Sequence, residues 1–422
     1  MRMKKVHSLI LFIFLVVCQP SDSFAAQRFP KPEFETGYTQ PNTLIPSPRA
    51  EILAVMDVAV LLIALSVISW IVIKKRSRKG VFWISLFSLA YFGFYREGCV
   101  CSIGSIQNVT LAIFDAGYAI PLTVVAFFII PLAFTLFFGR TFCAGVCPFG
   151  TMQDLVSFAP QKLGSRLNAV LGLIPYFYLG LAILYAATGT DFIICRYDPF
   201  VGIFRFNASF GMFIFAGTLL ISGIFLARPY CRFLCPYGVL LNWFSRFSRK
   251  HITVTPSECI QCRLCEDSCP YDAIDMPRIG KNPENKKDTL RKFVLICLLI
   301  PLLLVAGGFL GSRIHETLAM VNKKVRLAET ISDPEKMKEQ PEPFEIKAFR
   351  SSGKPVSQVN SEASVILKQF YSGGWILGGF LGLVFGILIA SRMMTKYRTD
   401  YVPNRGACFS CVRCVDYCPI KS

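Results

Sequence analysis

Long apolar runs alternate with short basic stretches along most of the chain. Seven of these runs approach the roughly 20 residues that a bilayer requires: 52–73, 81–95, 118–138, 167–187, 208–227, 293–311 and 375–390. The pattern predicts an α-helical polytopic membrane protein. Lys74-Lys-Arg-Ser-Arg-Lys79 follows the first run, Gly139-Arg140 the third and Arg228 the fifth. The positive-inside rule puts these ends in the cytoplasm. Residues 96–117, 188–207 and 312–373 then fall on the opposite side, and 228–292 and 391–422 return to the basic side.

The expected division follows from this alternation. Residues 1–26 read as a signal peptide, with a basic start, a short apolar core and small residues at its end. Residues 27–51 form a Pro-rich periplasmic arm, and 52–80 the first span with its basic loop. Two similar two-span units occupy 81–165 and 166–250. A ferredoxin half (251–292), a span (293–311), a periplasmic segment (312–373), a span (374–391) and a second ferredoxin half (392–422) complete the chain. The predicted location is a bacterial cytoplasmic (inner) membrane.

Composition agrees with this class: 53% of residues are hydrophobic and only 17% charged. The net charge of +18 sits largely in the loops of one side. The bilayer accounts for it, and no nucleic-acid partner is expected.

Seventeen cysteines change the picture from membrane protein to metalloprotein. Cys259-Ile-Gln-Cys-Arg-Leu-Cys-Glu-Asp-Ser-Cys-Pro270 and Cys408-Phe-Ser-Cys-Val-Arg-Cys-Val-Asp-Tyr-Cys-Pro419 both read C-x2-C-x2-C-x3-C-P. In that run three thiolates wrap one [4Fe–4S] cluster and the fourth ligates the partner cluster. Two clusters are therefore expected. One is held by Cys259, Cys262, Cys265 and Cys418, the other by Cys408, Cys411, Cys414 and Cys269. A membrane hairpin splits this α+β ferredoxin domain, and both halves meet on the basic side. Haem is not expected: the histidines are His7, His251 and His315, and no C-x-x-C-H occurs.

Each two-span unit ends in a second pattern. Gly139-Arg-Thr-Phe-Cys-Ala-Gly-Val-Cys-Pro-Phe-Gly150 aligns with Ala227-Arg-Pro-Tyr-Cys-Arg-Phe-Leu-Cys-Pro-Tyr-Gly238 in Arg, both Cys, Pro and the final Gly. The units form a parallel repeat. On a helix the i,i+4 spacing puts both thiols on one face, so Cys143, Cys147, Cys231 and Cys235 can hold an additional iron or iron–sulfur centre at the inner membrane edge. The alternatives are inert packing cysteines or a buttress for the ferredoxin domain. The outer loops contribute Cys99, Cys101 and Cys195, where an outer-face metal site competes with a Cys101–Cys195 disulfide. Cys297 stands mid-span without partners and is expected in the core. Asp57, near the outer end of the first span, is a candidate for handling quinone protons, but its interfacial position favours a solvated role.

With these residues in place the chain resembles the membrane polyferredoxins of the NosR/NirI type, which are related to NapH-type quinol dehydrogenase subunits. The resemblance covers roughly 82–270 and the C-terminal run. It implies electron transfer across the membrane to a periplasmic acceptor. The donor is cytoplasmic or the quinone pool, and the periplasmic partner a flavin- or haem-binding protein. NosR-type proteins carry an N-terminal FMN-binding domain, for which 27–51 is too short, and no Asp-Gly-x-[Ser/Thr]-Gly-Ala-Thr motif occurs. The rival functions are a redox-sensing regulator or a metallocentre-maturation factor, and a transporter with structural clusters. The apolar spans argue against transport.

Overall fold

A computed structural model describes residues 50–98, 101–206, 209–254, 259–277, 286–333, 346, 349–350, 355–394 and 398–420. The predicted signal peptide and nearly all of the arm lie outside these, as does Cys99.

The apolar runs fold as helices. Four are long and apolar enough to cross a membrane: Glu51–Lys75, Arg166–Ala187, Lys287–Arg313 and Val356–Met393. The remaining expected spans correspond to shorter elements. Leu122–Phe138 and Phe210–Phe225 have 17 and 16 residues. The 81–95 run is an α-helix, Arg78–Ser88, that widens into a π-helix, Leu89–Tyr95. The first span also ends in a π segment, Ile71–Lys75. Arg76 then takes a left-handed conformation, and the Ser77 hydroxyl caps the next helix by accepting from the Gly80 N–H.

The last hairpin departs from the expected boundaries. Its first helix begins by Lys286 and its second at Val356, well before the predicted 374. The segment between them carries His315–Ala319 and Lys323–Ser332, both packed on the second helix, with Lys324 paired to Glu362 at 2.7 Å. Glycines let the two long helices touch backbone to backbone. A Cβ on Gly311 would run into the carbonyl oxygen of Gly374, and one on Gly378 into that of Gly307. Small residues at such seams are how apolar helices associate where no hydrophobic gain separates partner from lipid. Cys297 lies on an exposed face of this hairpin, not in the core. Lys287–Arg313 buries little else against the protein, so that face is left to the lipid.

The hairpin returns the chain to its own first half. Strand Ile274–Asp275 pairs antiparallel with strand Val402–Pro403, in the register Ile274 to Pro403 and Asp275 to Val402. Asn404 N–H adds a bond to the Ala273 carbonyl at 2.7 Å, and Arg398 forms an ion pair with Asp275. The ferredoxin halves are therefore one unit. It sits at the end of the molecule where the basic stretches gather. Lys250 N–H donates to the Phe137 carbonyl at 2.8 Å, the Ser245 hydroxyl to the Arg405 carbonyl at 2.9 Å, and Arg76 to the Thr253 hydroxyl at 3.2 Å.

Candidate iron–sulfur sites

The two ferredoxin runs share a backbone shape. Gln261 and Arg263 flank Cys262 with positive φ, and Ser410 and Val412 flank Cys411 in the same way. These left-handed residues curl each run so that its thiols face inward. A one-turn helix follows in both, Leu264–Asp267 and Arg413–Asp416, burying Cys265 and Cys414. Cys259, Cys262, Cys265 and Cys418 line one cavity, with Ile260 and Ile420 in its wall. That is the set expected for the first cluster, drawn from both halves. Cys408, Cys411 and Cys269 all act on the Cys414 thiol, which burial pushes far up. This is the set expected for the second. The donors are thiols, and the Ser410 N–H points at the Cys408 Sγ from 3.4 Å, so the residues present fit iron–sulfur clusters. Among the described residues no three His, Cys, Asp or Glu converge on a single metal ion. Four thiols that would each hold a different iron of a cluster need no such point.

The second thiol set rests on the C-x3-C-P segments. The Phe409 ring lies 4.2 Å from the Arg140 guanidinium and 4.7 Å from the Tyr271 ring. Arg140 donates to the Gly406 carbonyl at 3.1 Å, and Tyr271 O–H to Asp154 at 3.2 Å. Both segments form a short helix, a turn and a Pro-started helix: Thr141–Gly145 then Pro148–Val156, and Pro229–Phe233 then Pro236–Arg246. Proline at the first helical position suits the turn because its missing N–H has no helical partner there.

The aligned arginines and glycines interlock. A Cβ on Gly150 would meet Arg228 Nη1 at 3.2 Å, and one on Gly238 would meet Arg140 Nη2 at 3.4 Å. Each glycine leaves room for the arginine of the other copy. Arg228, fully buried, is held by Asp154 through Nε at 2.9 Å and Nη2 at 2.5 Å. Burial alone pushes the Asp154 carboxyl up, but Arg228 outweighs it and holds the group below its usual range.

The four thiols of these segments come together. Burial pushes the Cys147 thiol well up, and Cys231 and Cys143 act on it in the same direction. Burial likewise takes Cys231 to about 12 against the opposing charge of Arg228. The Gln153 amide points at Cys231 Sγ from 3.3 Å, and its oxygen accepts from the Tyr230 N–H at 2.9 Å. Neutral thiols of this kind must lose protons before they bind metal.

The outer loops lie closer than expected. Cys101 and Cys195 line one cavity of about 250 Å³ with Asp57, Arg96, Asp198 and Arg205. Cys101 also lines a second, smaller cavity with Cys147. Asp198, three residues beyond Cys195, accepts from the Tyr230 hydroxyl at 2.7 Å, beside Cys231. Phe149, Phe200 and Tyr230 pack between them with centroids 5.1 to 6.0 Å apart, Phe149 stacked on Tyr230 and Phe200 edge-on to both. The loop residues thus dip to the C-x3-C-P segments, and the two sites adjoin instead of standing a membrane thickness apart. Asp57 is also not solvated: its side chain is 3% exposed, paired with Arg96 at 2.9 Å and hydrogen-bonded by Tyr91 at 2.8 Å. Cys101 and Cys195 carry free thiols.

A family profile described as "4Fe-4S binding domain" matches 120–166 and again 208–255, and a second profile of that description matches 252–275. The first matches cover both C-x3-C-P segments. Protein NirI of Paracoccus denitrificans is 34% identical over 169 residues, covering 35% of this chain and 24% of that protein. Over this stretch the chain is similar to NosR/NirI-type ferredoxin-domain membrane proteins. Regulatory protein NosR of Stutzerimonas stutzeri is 27% identical over 222 residues, 47% of this chain and 29% of its own length. Methylamine utilization ferredoxin-type protein MauN of P. denitrificans is 27% identical over 156 residues, 36% and 55% respectively. The chain spans less than two thirds of each of these NosR/NirI-type relatives. No solved structure matches.

The repeat alignment had flagged the arginines and final glycines without giving their role. Gln153, Asp154, Asp198, Tyr230 and Tyr271 were missed. Only proximity in the fold gives them meaning.

Proposed function

We propose that the chain relays electrons between a cytoplasmic or quinone-linked donor and a periplasmic acceptor, a flavoprotein or cytochrome. Seven membrane-crossing segments, the parallel repeat and a cytoplasmic ferredoxin unit complete this reading. The clusters supply one-electron carriers when bound. The chain's own residues hold them: Cys259, Cys262, Cys265 and Cys418 for one, Cys408, Cys411, Cys414 and Cys269 for the other. Cys143, Cys147, Cys231 and Cys235 are candidates for a further centre, and Cys99, Cys101 and Cys195 for an outer one.

One observation carries the proposal. Cysteine positions follow one another without a gap from the outer loops to the ferredoxin unit. Cys195 and Cys101 share a cavity, Cys101 and Cys147 share the next, and Cys147 is within electrostatic reach of Cys231. Arg140 and Phe409 close the step to Cys408. Cys143, Cys147 and Cys235 on this line are buried, and guanidiniums nearby offset the charge of thiolates.

The test is reduction of an external acceptor by an internal donor in proteoliposomes. Cys143→Ser with Cys231→Ser should abolish transfer and keep the ferredoxin EPR signal. Undiminished transfer would leave those thiols structural. A second reading, a redox-sensing regulator, draws on the similarity to regulatory protein NosR. Intact clusters with no transmembrane transfer would favour it.

A further inference from the structure

A cavity of about 530 Å³ lies at the basic end, between the first turns of Arg166–Ala187 and the last turns of Val356–Met393. Three guanidiniums line it, Arg140, Arg232 and Arg246, with the amides of Asn168 and Asn242. No Asp, Glu or His is among its lining residues. The opposite wall is apolar, made by Phe380, Val384 and Ile387 of the last long helix. Arg140 is 4% exposed, and its Nε has no hydrogen-bond partner among the described residues. A buried donor left unbonded is costly unless a ligand completes it.

We propose that this cavity binds the headgroup of an anionic phospholipid, with an acyl chain along the apolar wall. The charge balance decides the class. Arg232 shares its charge with Asp272 at 3.9 Å, Arg140 and Arg246 face no carboxylate in the cavity wall, and a basic pocket between spans on the positive side is where anionic headgroups bind. The size suits it, within the 300–1,000 Å³ range of ligand pockets. A quinol is disfavoured. Its oxidation releases protons, and neither carboxylate nor imidazole stands in the wall to take them. The lipid would join three parts at once: the second C-x3-C-P segment through Arg232, the following helix through Arg246, and the C-terminal ferredoxin half through Ala407 and Phe409. The proposal does not depend on electron relay.

The test titrates the full-length chain in neutral detergent with a fluorescent phosphatidylglycerol and the matching phosphatidylcholine. Saturable binding of phosphatidylglycerol is expected, at least about fivefold tighter than phosphatidylcholine. Arg246 is exposed and bonded to Asn242 at 3.2 Å, so its replacement spares the fold. Arg246→Gln should weaken phosphatidylglycerol about fivefold, the share of one basic residue. Arg249→Gln removes the same charge from outside the cavity and should change little. Equal affinity for the two lipids, or equal loss in the two variants, would overturn the proposal. Displacement of the lipid by an uncharged short-chain quinone would reassign the cavity to a quinone.

Discussion

The two C-x3-C-P copies share a sequence and differ in what surrounds them. Asp154 follows the first copy and clamps Arg228 of the second. The position aligned with Asp154 is Asn242, which accepts from Arg246 and gives Arg140 no carboxylate. Arg140 instead stacks on Phe409 and donates to Gly406. The outer loops differ in the same way: the residue three beyond Cys195 is Asp198, and three beyond Cys101 is Gly104. One arginine is thus locked within the membrane part, while its counterpart is turned toward the ferredoxin unit. A duplicated frame has been kept, and its polar contacts have been divided between cohesion and docking.

The largest effect should come from the arginines. Arg228→Leu strands the Asp154 carboxylate and should cost about 3–5 kcal/mol. Arg140→Leu loses a hydrogen bond and a ring contact and should cost about 1–2 kcal/mol. Detergent-solubilised thermal unfolding measures both, and equal costs would break the comparison.

The next effect is pH-dependent. Burial raises the Asp198 carboxyl from 3.8 to about 6. The folded state holds that proton more tightly than the unfolded one. The resulting stability is fully present below about pH 4 and is lost as pH rises through about 6, on the order of 3 kcal/mol in all. Asp198→Asn should flatten the profile between these values. Gly104→Ala in the other loop should leave its shape unchanged.

The smallest effect separates the glycines. Gly150→Ala presses on Arg228, which Asp154 prevents from yielding, and should cost about 1–2 kcal/mol. Gly238→Ala meets the less restrained Arg140 and should cost under about 1 kcal/mol. A reversed order in the same unfolding measurement would show that the carboxylate is not what fixes Arg228.

Much of this was legible in the sequence because thiol spacing is a local property. The runs at Cys259 and Cys408 announced a shared domain, and the 274–403 strand pair fulfils it. Apolar length gave the long helices, and at 81–95, 118–138 and 208–227 it gave helical elements shorter than those four. The depth of Cys101 and Cys195 was illegible. A loop between apolar runs reads as external, and only the Tyr230–Asp198 bond and the edge-on Phe200–Tyr230 contact reveal that it folds inward. Asp57 was misjudged for a similar reason, since its partners Tyr91 and Arg96 arrive from the following element.

The strand pair between 274–275 and 402–403 also sets a timetable. During synthesis the first ferredoxin run leaves the ribosome more than a hundred residues before its partner strand exists. Until the hairpin has entered the membrane and the final residues have emerged, the first half has nothing to pair with. Closure of the ferredoxin unit is therefore a late event in the life of each chain. A chain cut short before residue 402 would lack both the partner strand and the second run and could not close the unit.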